Sequence, residues 1–241
     1  MSQFSNSGYN DALVPSEQAD VVAQRRFISK VFAWMTVGLS VTGIVALLVS
    51  GNKAANQFVN GNPLTGIILF VIMIGLIFAI RGAVAKLPAV TATLLFLLFS
   101  AVMGAALSSI FLVYTRSSIF EVFFISAATF GSSAAYGYLT QRDLTSIGHL
   151  CGMALWGIII AMFVNFFMQN STFEYLISII GVLVFVGLTA YDTQKIKYMY
   201  MAGPDGSQAN EKASILGALT LYLDFINIFL FLLQLFGQQR D

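Results

Sequence analysis

Charged residues thin out seven times along this chain of 241 residues, leaving apolar blocks at 27–50, 63–80, 88–113, 122–139, 144–168, 173–194 and 213–236. A helix needs about 20 mainly apolar residues, each rising 1.5 Å, to cross the hydrocarbon of a bilayer, and every block meets that length. In lipid the backbone must satisfy its own polar groups, so open strands are excluded and each block is predicted to be helical. The overall composition agrees: 58% hydrophobic residues against 10% charged is more apolar surface than one soluble core could hide. The fold class is therefore an all-α integral membrane protein, a seven-transmembrane-helix bundle. The expected division is a cytoplasmic N-terminal arm at 1–26, a transmembrane domain at 27–236 and a short C-terminal tail at 237–241. No small-residue cleavage site follows the first block, which is read as an uncleaved span.

The basic residues give a direction. Arg25, Arg26, Lys30, Arg81, Lys86, Arg142, Lys195, Lys197 and Lys212 fall on the side of the N-terminus, and only Lys53, Arg116 and Arg240 on the other. Cytoplasmic loops collect Lys and Arg, so the N-terminus is expected in the cytoplasm and the C-terminus outside. Turn chemistry at Ser50-Gly51-Asn52, Asn60-Gly61-Asn62-Pro63 and Gly203-Pro204-Asp205-Gly206-Ser207 separates the spans. The run 19–30 mixes apolar residues with Arg25 and Arg26, and reads either as an amphipathic helix on the inner surface or as a lead-in to the first span. A net charge of +1 with no basic stripe excludes nucleic acid as a partner, and the single Cys151 excludes an intrachain disulfide.

Small residues recur every fourth position in the third span (Ser100, Gly104, Ser108) and in the fourth (Ala127, Gly131, Ala135). Such stripes let backbones approach, and they predict that these two helices pack on each other.

Asp224 stands inside the last apolar block, where a charge costs roughly 2.5–3.5 kcal/mol on insertion scales and marks a functional site by default. Asp192, at the end of the preceding block, is its candidate partner. Two carboxylates in a poorly hydrated site cannot both ionise cheaply and tend to share a proton, which makes the pair a candidate pH sensor and ion gate. For Asp192 an ordinary ion pair with Lys195, three residues on, is the competing reading. Arg81 can reach inward from the inner end of the second span and is the candidate latch on Asp224. Asn227 and Gln234 follow Asp224 on a broadly similar face and, with Tyr191, are candidates for a polar pathway; interhelical hydrogen bonding is the commoner role. His149, the only histidine, carries the side chain that changes charge nearest physiological pH and is a further candidate sensor. Glu121 and Glu174 open their helices and read as capping residues. Asp192 and Asp224 together make at best a weak, transient calcium site, since a tight one needs six to eight oxygens.

The segments Gly187-Leu188-Thr189-Ala190-Tyr191-Asp192-Thr193-Gln194-Lys195-Ile196 and Leu221-Tyr222-Leu223-Asp224-Phe225-Ile226-Asn227 resemble the signature of the transmembrane Bax-inhibitor-motif family. The resemblance covers essentially the whole chain. It implies a seven-helix bundle with the last helix central and the other six around it. It also implies a pH-sensitive calcium leak controlled by an aspartate pair that maps onto Asp192 and Asp224. Calcium as the permeating ion, with no cofactor, comes from the resemblance alone. So do the alternative partners, a membrane-anchored quality-control protease or cell-death and stress machinery, and the expected residence in a bacterial inner membrane rather than the endoplasmic reticulum. Proton-coupled cation exchange would use the same carboxylates. An enzyme is not expected: one histidine cannot supply a His-Glu-x-x-His zinc site, no Gly-x-Ser-x-Gly is present, and no lysine lies mid-span to hold retinal.

Overall fold

The computed structural model describes residues 14–86, 88–200 and 207–240. They form nine helices, α1 (Val14–Gly51), α2 (Lys53–Asn60), α3 (Pro63–Lys86), α4 (Ala89–Leu107), α5 (Ile110–Val113), α6 (Arg116–Leu139), α7 (Thr145–Met168), α8 (Ser171–Met199) and α9 (Gln208–Phe236). Seven segments are long and apolar enough to cross a membrane: Val21–Gly51, Pro63–Gly82, Ala89–Val113, Arg116–Leu139, Thr145–Met168, Ser171–Met199 and Gln208–Phe236. The all-α membrane bundle expected from the sequence is what the chain forms.

Local chemistry explains the boundaries. Asn52, Thr115, Asn170 and Ser207 accept backbone N–H bonds at the starts of α2, α6, α8 and α9, and Pro63 opens α3 where its missing N–H costs nothing. Gln169 closes α7 in the left-handed region, at φ 48°. Between the turns expected at 50–52 and 60–63 the chain holds the short helix α2. The third span is not one helix: a turn at Ser108 and Ser109 separates α4 from α5. The run 19–30 takes the second of the two forms considered for it, a lead-in to the first span, as the unbroken early part of α1. At 38 residues α1 is about 57 Å long, well beyond a hydrocarbon core of about 30 Å. The connection drawn from 195 to 212 shrinks as well, since α8 runs to Met199 and α9 begins at Gln208. The Gly203-Pro204-Asp205-Gly206 turn, the first half of the N-terminal arm (residues 1–13) and Asp241 lie outside the described residues.

Burial ranks the spans. Within its most apolar window α9 is 72% buried, against 6% for α3 and for α7. It packs against α8, α1, α6, α4 and α3, whereas α7 packs chiefly on α8. The predicted pairing of the third and fourth spans does not occur. The α4 stripe is used, with Gly104 set against the backbone of Thr42, so its partner is α1. On α6 the expected stripe is not the packing face: Gly131 has nothing near it, while Ser133 bonds the Val186 carbonyl and Gly137 lies against the Ala190 carbonyl of α8. Small residues announce close approach without naming the helix that approaches.

Both ends of the bundle are tied. At the end rich in basic residues Gln24 donates to the Lys197 carbonyl, Lys30 pairs with Glu211 at 3.1 Å, and the Lys197 ammonium donates to the Tyr138 carbonyl. At the opposite end the chain after α9 pairs with the α5 to α6 turn. Thr115 N–H donates to Gln238, Arg240 N–H to Val113, and Gln238 N–H to the Ser118 hydroxyl.

Candidate functional site

Asp224 is only 5% exposed, and its placement follows from the helix that carries it. Gly217, Asp224 and Phe231 recur every seven residues, so they share one stripe of α9. Gly217 lies against Ile196 and Phe231 against Gly181, which turns that stripe toward α8. The neighbouring faces are locked by other contacts. Tyr222 is packed edge-on between Phe96 and Phe99, with its hydroxyl 2.7 Å from that of Thr42. Phe225 is wedged edge-on against Phe123 and Phe130 of α6. With its flanking residues held this way, α9 cannot turn Asp224 toward lipid without breaking aromatic contacts on two sides.

The same contacts fix the register of the antiparallel α8 and α9 pair. Ser178 bonds Gln234, Gly181 meets Phe231 and Ile196 meets Gly217. Along that register Asp192 lies opposite the level of residue 220, about one turn or 6 Å nearer the basic end than Asp224. Four residues before Ile196, Asp192 shares the face of α8 that meets Gly217, so both aspartates belong to the α8 and α9 interface. Asp192 is half-buried and also feels the Lys195 ammonium. The described residues show no ion pair between those two; Lys195 sits 5.8 Å over the Tyr191 ring instead.

Two buried side-chain oxygens in the described residues lack a hydrogen-bond partner, Asp224 Oδ2 and Thr193 Oγ1. Both belong to the α8 and α9 pair, and Thr193 follows Asp192 directly. Sequence reading did not single out Thr193. Its signal was there, in a hydroxyl adjacent to a motif aspartate and one turn beyond Thr189, whose own hydroxyl is spent on the Phe185 carbonyl. Gln194 was missed as well. Its side chain accepts from Leu144 N–H at 2.9 Å and donates to the Arg142 carbonyl at 2.8 Å, clamping the α6 to α7 connection onto α8. In that connection Asp143 accepts from the Thr145 hydroxyl and N–H, which hold its carboxyl below the usual range.

The other candidates fall away from the pair. Arg81 is exposed on α3 and has no ion pair among the described residues, so the structure does not bring it to Asp224. Physically, a guanidinium at the end of one of the two least buried spans stays in the aqueous layer, where its charge is solvated. His149 is exposed on α7. Asn227 donates to the Leu223 carbonyl of its own helix at 2.8 Å, and Gln234 accepts from the Ser178 hydroxyl of α8 at 2.7 Å while lining a cavity of about 380 Å³ with Asn165 and Glu174. Tyr191 packs its ring on Gly148 of α7. No group of three or more His, Cys, Asp or Glu that could hold a metal ion occurs among the described residues, and the available oxygens are the two aspartates and Thr193. That donor set fits passing contact with a hard cation and is too small for tight retention.

Comparison with known proteins places these residues among relatives. The family model described as Inhibitor of apoptosis-promoting Bax1 matches residues 24–241. An uncharacterized protein of Borreliella burgdorferi is 43% identical over 225 residues, covering 93% of this chain and 97% of the relative. Inner membrane protein YbhL of Escherichia coli K12 is 43% identical over 229 residues, with 92% and 98% covered. An uncharacterized protein of Rickettsia prowazekii is 40% identical over 218 residues, with 90% and 91% covered.

Proposed function

The chain belongs to the Bax inhibitor family as a multi-pass integral membrane protein, and from that premise we propose that it is a pH-sensitive calcium leak whose permeation is gated by protonation at Asp192 and Asp224. The observation that carries this reading is the buried Asp224 carboxyl, which faces α8 with one oxygen unpartnered and lies about a turn from a second carboxyl. A polar group buried without a partner costs stability, and such groups persist where they bind or switch. Protons and calcium compete for the same carboxylate oxygens, so occupancy by one excludes the other. Weak coordination suits a pathway that must release its ion. We place the N-terminus in the cytoplasm and the C-terminus outside a bacterial inner membrane; the nine-to-three division of basic residues and the name of the Escherichia coli relative support this.

The test is calcium flux into liposomes that contain only this protein, measured across pH. Wild type is expected to conduct with a pH-dependent rate, and Asp224→Asn and Asp192→Asn to lose that dependence, because neither carboxamide titrates. Pores with unaltered pH profiles in both variants would remove the gating role, and absence of flux in wild type would leave a regulatory role with a membrane-anchored protease or stress machinery. Flux that requires an opposing proton gradient would instead mark exchange. A latch through Arg81 requires its exposed guanidinium to swing in from the end of α3 to Asp224, and Arg81→Ala tests it in the same assay: an unchanged pH response means that the aspartates gate without it.

A further inference from the structure

A cavity of about 260 Å³ opens between α1, α4 and α9 at the basic end of the bundle. Residues four apart recur on each helix that lines it: Lys30 and Trp34 from α1, Val90 and Leu94 beside Ala89 and Thr93 from α4, and Glu211 and Ile215 from α9. Residues four apart stack along one face of a helix, and in all three pairs the second lies deeper in the bundle. The charges therefore sit at the mouth and the apolar side chains form a shaft below them. Val90 is 68% and Leu94 61% exposed, so one wall of the shaft is open to the bilayer. Lys30 and Glu211 are 3.1 Å apart, yet their side chains remain 41% and 40% exposed, which leaves each able to take a second partner.

The geometry points to a binding site for one zwitterionic phospholipid with a primary amine, a phosphatidylethanolamine. Its phosphate meets the Lys30 ammonium, its own ammonium donates hydrogen bonds to the Glu211 carboxylate, and one acyl chain descends past Leu94 and Ile215. Trp34 stands one turn below Lys30, at the depth where indoles settle between headgroups and hydrocarbon, and offers an N–H to the ester region. The charge pattern selects among lipids. An anionic glycerol headgroup brings no cation for Glu211, and a quaternary choline cannot donate a hydrogen bond to it. The site is independent of the aspartate pair and does not rest on the proposed leak.

Native mass spectrometry of the full chain offered equal amounts of palmitoyl-oleoyl phosphatidylethanolamine, phosphatidylcholine and phosphatidylglycerol reads the preference. Wild type is expected to retain the ethanolamine lipid roughly tenfold over either of the others, as one charge-assisted hydrogen bond provides. Glu211→Gln should abolish the preference over choline. Leu94→Trp, which fills the shaft and leaves both charges in place, should lower retention of the ethanolamine lipid even if Glu211→Gln fails to fold. Equal retention of the three lipids by wild type, stronger retention of the glycerol lipid, or unaltered selectivity in both variants would overturn the site.

Discussion

Asp224 contributes to the fold only by being tolerated. Its stripe-mates Gly217 and Phe231 make the contacts that seat α9 on α8, while Asp224 Oδ2 meets no donor. Replacement by an apolar side chain of similar size removes a buried polar cost of about 1–3 kcal/mol and adds packing. Asp224→Leu is therefore expected to melt at a higher temperature in detergent and to conduct no calcium, and a lower melting temperature would mean that the carboxyl has a stabilising partner. Asp224 was legible in the sequence because a charge inside an apolar block is costly, and Asp192 because it ends the preceding block as a candidate partner, although an ordinary ion pair with Lys195 competed there. Thr193 and Gln194 were not, since a hydroxyl or an amide in a helix is ordinarily satisfied within its own turn, and only the packed neighbours decide whether it is. Tyr222 illustrates the same limit: nothing local predicts that its hydroxyl closes on Thr42, a residue in the first helix.

Helices read well from sequence where length alone settles the matter. The seven spans were recovered from the spacing of charges, whereas α2 and α5, with eight and four residues, are too short to leave a hydropathy signal. Partner choice between helices was misread for α4 and α6, because Gly104 and Gly131 look alike in sequence and only one of them touches another backbone. The Gln194 clamp ties α8 to the α6 to α7 connection. Gln194→Ala leaves the buried Leu144 N–H without an acceptor and is expected to cost about 1–3 kcal/mol. A fall in melting temperature of roughly 2–4 °C per kcal/mol checks it, and no fall would show that the connection is held by other means.

In the whole molecule, α9 packs against α1, α3, α4, α6 and α8. Thr42, whose hydroxyl joins α1 to the Ser100 carbonyl of α4, also meets the Tyr222 hydroxyl of α9, and the chain that follows α9 binds the α5 to α6 turn. A chain ended before Gln208 is therefore expected to insert and yet to be cleared rapidly, with a pulse-chase lifetime well below that of the full chain; equal lifetimes would show that six spans suffice. The order of synthesis also bears on how a carboxyl comes to lie within a bilayer at all. By the time α9 leaves the ribosome, its neighbours can already be assembled beside the translocon, so Asp224 need never be partitioned into bare lipid. It can pass from an aqueous channel into a groove made of protein, and the energetic barrier that hydropathy scales assign to it is then one the growing chain does not have to climb.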